Sequence, residues 1–123
     1  MATSYTQAKT IGDVIKYEGP YGYSRKKVTI TSGQNLNIGD ILETVTGKKV
    51  ILATAGNADS IMLEDTGGAL GADAEMWVLV RHAMFDDDQV NYNGKTKATV
   101  DAALEALGMV PRSECVAINV QTT

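Results

Sequence analysis

The residues of this chain that could do chemistry are few and scattered. Asp65-Thr66-Gly67 is the triplet of aspartic proteases, whose mechanism needs two such carboxyls sharing one proton across a dimer axis. Glu64 precedes it with a like charge, and Gly67, Gly68 and Gly71 read as a solvated loop between strands. Asp86-Asp87-Asp88 offers the oxygen ligands that calcium and magnesium prefer, yet no EF-hand spacing or closing glutamate completes the set, so it reads as a charged turn. The sequence holds 1 His and 1 Cys, which excludes a multi-Cys zinc site, a disulfide framework and a Ser-His-Asp enzyme with a spare base. His82 reads as a structural residue within a strand, and Cys115, with apolar neighbours, as an inert buried thiol. No catalytic constellation emerges; the chain is expected not to be an enzyme and to carry no metal or cofactor.

The Gly-rich stretch Gly67-Gly68-Ala69-Leu70-Gly71 lacks the Gly-Lys-Ser/Thr ending of a phosphate loop. The Gly39-Asp40-Ile41-Leu42 turn is similar to that of sandwich-hybrid carrier domains, but no Met-Lys-Met or Asp-Lys-Ala tip is present to receive biotin or lipoate.

The elements that must position these residues are mostly strands. Val28-Thr29-Ile30-Thr31 alternates with period 2 and is followed by turn residues, Ser32 to Asn35. Ile41–Thr46 predicts a strand, Thr46-Gly47-Lys48-Lys49 a hairpin turn, and Val50–Thr54 its return. Ser60–Leu63 is a short apolar strand. The run Met76–Phe85 is apolar on both faces and predicts one central strand covered on both sides. A single helix is expected over about 96–107, with Thr96 as N-cap and Val100, Ala103, Leu104 and Leu107 as one apolar stripe. Gly108 is placed to end it in the left-handed region, and Pro111 prevents its resumption. Cys115–Val120 alternates as a closing strand. The fold class is mainly β with one packed helix, a mixed α/β single domain over 25–123 that follows an arm at 1–24.

Charge and aromatics divide along that boundary. The net charge is −4, with a pI near 4.8, which argues against a general nucleic-acid binder. Residues 1–27 hold five basic and two acidic groups, whereas residues 28–123 hold six and thirteen. Tyr5, Tyr17, Tyr21 and Tyr23 all fall in the first 23 residues. Gly12 and Gly19-Pro20-Tyr21-Gly22 break any helix there, so 1–24 reads as an extended arm with one short strand around Val14-Ile15-Lys16-Tyr17. Disordered tails are poor in aromatics, so four tyrosines mark a docking segment. Arg25-Lys26-Lys27 is too short for a nucleic-acid face and reads as a charged start to the first strand. No apolar run reaches the roughly 20 residues that span a bilayer, and the start lacks a secretion signal, so no membrane partner is expected.

The run from Tyr23 to Leu42 resembles the phage lambda-type head decoration family. It carries an aromatic-Ser-Arg opening (Tyr23-Ser24-Arg25), a Val-Thr strand, Ser32-Gly33-Gln34-Asn35-Leu36, and the turn Gly39-Asp40-Ile41-Leu42. Val78-Leu79-Val80-Arg81 and the closing Ala106-Leu107-Gly108-Met109-Val110-Pro111-Arg112 agree in order, so the likeness spans about residues 23–112.

The resemblance implies a lambda decoration protein-like β-tulip and a structural capsid protein with no cofactor. It implies homotrimers on the outer surface of the expanded icosahedral head, at three-fold and quasi-three-fold positions, that stabilise it against packaged-DNA pressure. The implied partners are the major capsid protein and further copies of the chain, and the implied location is the virion, with the host cytoplasm during assembly. The docking candidates are Tyr5, Val14, Ile15, Tyr17, Tyr21, Tyr23 and Arg25, and the structural motif comprises Ser24, Gly33, Gln34, Asn35, Leu36, Gly39, Arg81 and Gly108. Two alternatives compete: a dimeric aspartic protease using Asp65, and a β-barrel tail or adhesion module of a phage particle.

Overall fold

The computed structural model describes residues 9–19 and 22–114. Tyr5, Tyr21, Cys115 and the expected strand at Cys115–Val120 lie outside the described residues.

The chain is mainly β with one packed helix. A helical turn, α1 (Ile11–Val14), leads into β1 (Ile15–Glu18). Then come β2 (Arg25–Ile30), β3 (Ile41–Val45), β4 (Lys48–Ile51), a 3-10 turn at Ala55–Asn57, β5 (Ser60–Met62) and β6 (Ala74–Leu79). The last elements are β7 (Ala83–Phe85), the helix α2 (Lys97–Glu105) and β8 (Met109–Pro111). Strands β2-β4-β3-β5-β6 close into a barrel, and β1-β7-β8 form a separate three-stranded sheet.

Alternation along the barrel strands feeds two cores at once. Ile41, Ile61 and Leu79 face a core shared with Val14, Phe85, Val100, Leu104 and Met109. Their neighbours Leu42, Met62 and Val78 point the other way, into the barrel with Ile30 and Leu36. Successive side chains of a strand take opposite faces, so apolar residues follow one another at Ile41-Leu42, Ile61-Met62 and Val78-Leu79 because both faces are covered there.

The expected single strand Met76–Phe85 is two strands in two different sheets. β6 pairs with β2 and β5 in the barrel, whereas β7 pairs with β1 and β8. His82, at φ +49°, turns the chain between them and is exposed, not a residue within a strand. Only the Val78-Leu79 end is covered on both sides; Glu75 and Trp77 are exposed. Both halves of the run are apolar, so hydropathy alone hides the break.

In the described part of the leader, the expected short strand is β1, and a helical turn precedes it. Ile11–Val14 is helical, and the Thr10 amide donates to the Asp13 carboxylate at 2.9 Å to start that turn. Val14 is fully buried, and β1 pairs antiparallel with β7. α2 starts after Thr96 and ends two residues early, at Glu105, so Leu107 lies beyond it and is 40% exposed, outside the expected stripe.

The aspartates at 86–88 form a turn, but the first two are buried in ion pairs. The Asp87 carboxylate accepts from the Ser113 hydroxyl at 2.6 Å and lies 2.9 Å from Lys97 Nζ, which is also 2.7 Å from Asp101. Tyr92 Oη donates to Asp101 at 2.6 Å. Burial pushes the Tyr92 hydroxyl upward, and the bond to the Asp101 carboxylate adds to the shift. Burial would raise Asp87 too, but donors from Ser113 and Lys97 outweigh it and hold the carboxyl at about 2. This network fixes the 86–88 turn, α2 and the chain after β8 to one another.

Candidate docking surface

Among the described residues the three-stranded sheet has a covered and an uncovered face. Across it, Ile15 pairs with Phe85 and Phe85 with Pro111; Phe85 and Pro111 are buried and Ile15 packs against the same core. One position along, Tyr17 pairs with Met84 and Met84 with Val110, which sets three apolar side chains in a row on the other face. Tyr17 is 64% exposed, and Met84 and Val110 are half-buried.

Ile15 and Tyr17 are two residues apart and would share a face in a regular strand. A β-bulge between them, at Lys16, shifts the register, so they pair with Phe85 and Met84, which are adjacent. One extra residue in a strand re-aims the side chains that follow it. The bulge is what turns Tyr17 outward.

His82, Ala83 and Gly108 complete a shallow depression of about 310 Å³ around this row. Its rim is aromatic and cationic. The Tyr23 ring stacks on His82 with centroids 5.3 Å apart, and the Arg81 guanidinium lies 4.7 Å from the Tyr23 centroid. Arg81 Nε donates to the Tyr23 carbonyl at 2.9 Å. A cation over an exposed aromatic face is worth about 0.5–1 kcal/mol.

Ser24 holds that rim in place. It is fully buried; its Oγ accepts from the Gly19 amide at 2.8 Å and donates to the His82 carbonyl at 2.9 Å. One hydroxyl thus joins the leader, the start of β2 and the crossover between the two sheets. Arg25 pairs with Glu18 through two hydrogen bonds at 2.8 and 2.6 Å, and that bonding raises its guanidinium further above the ordinary value.

The structure therefore brings Tyr17, Tyr23, Arg81 and Gly108 together, with Arg25 beside them. Val14 and Ile15 face the domain's own core instead, so their side chains are taken. Gly33, Gln34, Asn35, Leu36 and Gly39 lie elsewhere, in the loop between β2 and β3. Gly33 adopts φ +87° and its amide donates to Leu70 O at 2.7 Å; Gln34 Oε1 accepts from the Ile51 amide at 2.9 Å. Leu36 is buried in the barrel core, Asn35 is exposed, and a Cβ on Gly39 would sit 2.9 Å from the Gln89 carbonyl. Asp65 and Thr66 serve this same loop: Asp65 Oδ1 accepts from the Ile38 amide at 2.7 Å, and Thr66 Oγ1 from the Leu36 amide at 2.9 Å. Those bonds account for the Asp-Thr-Gly triplet without a reaction.

Met84 and Val110 were not legible as site residues. Only the placement of the break at His82 shows which face each takes. Among the described residues no group of three or more His, Cys, Asp or Glu could hold a metal, and no helix is long and apolar enough to cross a membrane.

No curated protein and no solved structure matches the chain. The family model described as bacteriophage lambda head decoration protein D matches residues 4–110, which include every strand of both sheets except the last residue of β8. By that match, the chain belongs to the bacteriophage lambda head decoration protein D family and so to the structural proteins of the phage capsid.

Proposed function

We propose that the chain docks as trimers on the outer surface of the expanded head, at three-fold and quasi-three-fold positions, and braces the shell against packaged-DNA pressure. The observation that carries this reading is the uncovered Tyr17–Met84–Val110 row with its Tyr23–His82–Arg81 rim. Tyrosine and arginine are the residues most often found at energetic centres of interfaces, and a stable partner must cover such a row. Its occupant in this reading is the major capsid protein.

The leader has two roles in this account. Residues 11–19 and 22–24 build and support the docking face. Residues 1–8, fully extended, reach at most ~29 Å, enough to lie along a neighbouring shell subunit. Among the described residues β1 is an edge strand, which offers backbone donors and acceptors for strand addition by the shell and so affinity without specific side chains. Three copies held together raise the effective concentration of each contact, so individually weak docking becomes durable.

The test is to mix purified protein with expanded, undecorated heads and measure binding and resistance to heat or osmotic rupture. Saturable binding in multiples of three with raised rupture resistance is the expected result. Absence of saturable binding removes the reading.

A further inference from the structure

A second cleft lies on the barrel, between β2, the β3–β4 hairpin and the chain after α2. It encloses about 520 Å³, within the range of roughly 300–1,000 Å³ typical of ligand sites. Among the described residues, Lys26, Lys27, Lys49 and Arg81 line it against a single carboxylate, Asp59, above a partly apolar floor that includes Val80 and Leu107. Lys49 is neutralised by Asp59 at 3.1 Å and also bonds Thr44 Oγ1 at 2.7 Å. Lys26 and Lys27 have no ion pair or side-chain hydrogen bond among the described residues, and Arg81 meets only the Tyr23 carbonyl and ring.

That concentration is unusual for this chain. Its net charge is −4, and most of its other cations are matched to a carboxylate: Arg25 to Glu18, Lys48 to Asp73, Lys97 to Asp87 and Asp101. Three cations without a carboxylate partner among the described residues, Lys26, Lys27 and Arg81, line this one concavity. Like charges gathered about one concavity repel one another and are stabilised by an opposite charge brought among them.

We propose that this cleft binds a short acidic segment of the head's shell protein, a second contact beside the apolar row. The inference rests on the docking reading above. An acidic peptide fits better than a nucleic acid. Among the described residues that line it the cleft has no aromatic platform for bases, and the acidic body repels a long polyanion. Val80 and Leu107 suit the apolar side chains of a peptide. Arg81 belongs to both places, with its guanidinium over Tyr23 and its chain in the cleft wall, so the two contacts are continuous.

The experiment compares wild type, Lys26→Gln/Lys27→Gln and Lys95→Glu, the last giving the same net charge at a lysine outside the cleft that has no ion pair among the described residues. Each is titrated onto expanded, undecorated heads from about 0.05 M to about 0.5 M salt, where screening passes from weak to nearly complete. Each is also titrated alone with a poly-glutamate peptide and with a single-stranded oligonucleotide of equal charge, followed by backbone amide NMR. The expected result is about tenfold weaker head binding for the double variant at low salt, converging with wild type at high salt, with Lys95→Glu near wild type. Poly-glutamate should shift the amides of residues 26–29 and 44–49 in wild type and not in the double variant. Equal head binding by the double variant at every salt overturns the inference and leaves the docking reading intact. Stronger binding of the oligonucleotide than of the peptide also overturns it. If no variant binds heads, the docking reading fails, and the peptide titration still decides whether the cleft takes an acidic chain.

Discussion

Gly108 lies so close to His82 that a Cβ on it would stand 3.2 Å from both the His82 amide nitrogen and Nδ1. It also adopts φ +84°, a region that side chains strain to enter, and its carbonyl accepts from the Ala83 amide at 3.1 Å. The end of the helix and the crossover between the sheets are thus fitted to each other through one missing methyl group. Gly108→Ala is expected to cost about 1–2 kcal/mol from backbone strain. It should also move the His82 ring against Tyr23. A lowered Tm with altered Tyr23 and His82 ring signals is the expected outcome; an unchanged Tm would show that the close approach relaxes freely.

Truncation separates the two parts of the leader. Removing residues 1–8 leaves every described contact in place, so the Tm should stay near that of the full chain while head binding weakens. Removing residues 1–22 deletes Val14 from the core and the whole of β1. Loss of one large buried side chain alone costs about 2–5 kcal/mol in comparable cores, so that fragment should be unfolded or molten by near-UV circular dichroism. A well-folded fragment would show that β7 and β8 hold without β1.

Tyr17→Ser removes the most exposed member of the apolar row, 64% exposed, without touching the core. Head binding should weaken by a factor of about 10–100, as for a central interface tyrosine. The thermal melt should change little. Unchanged binding with an intact fold would place the shell contact elsewhere.

Asp87 makes stability fall in acid. Its folded-state carboxyl sits at about 2 against an ordinary 3.8, so the stabilisation is present above pH ~4 and is lost as pH falls through 2. The shift corresponds to about 2 kcal/mol. Asp87→Asn should lower the Tm at neutral pH and flatten its dependence between pH 4 and 2. A variant as acid-sensitive as wild type would assign that sensitivity to other carboxylates.

How far the sequence carried the fold follows from where the information sits. Short-range signals were legible: the Val28–Ile30 alternation, the Thr46-Gly47 hairpin turn, and Gly108 as the stop after α2. Each is set by backbone preferences within a few residues. The division of Met76–Phe85 was not, because both strands are apolar and the turn at His82 is imposed by contacts with Ser24 and Gly108, distant in sequence. In the leader the short strand around Val14–Tyr17 was legible, whereas the helical turn at Ile11–Val14 was not, because burial of Val14 overrides the local propensity of Gly12. Glu43 gave no sign of its role either. It is buried in β3 and accepts the Ala53 and Thr54 amides, a task visible only once the hairpin is closed. Among site residues, Tyr17, Tyr23 and Arg81 were legible by type, whereas Met84, Val110 and the cleft lysines depended on register and shape.

The bulge at Lys16 makes the docking face a matter of counting. Deleting that one residue would make Ile15 and Tyr17 neighbours, which take opposite faces of a regular strand, so Tyr17 would keep its place beside Met84 without a bulge. Substituting Lys16 by another residue keeps the count and so keeps the face. What the face requires is that Lys16 stay out of the pairing: a relative in which all three residues paired regularly would carry Tyr17 to the side of Ile15 and present a different surface.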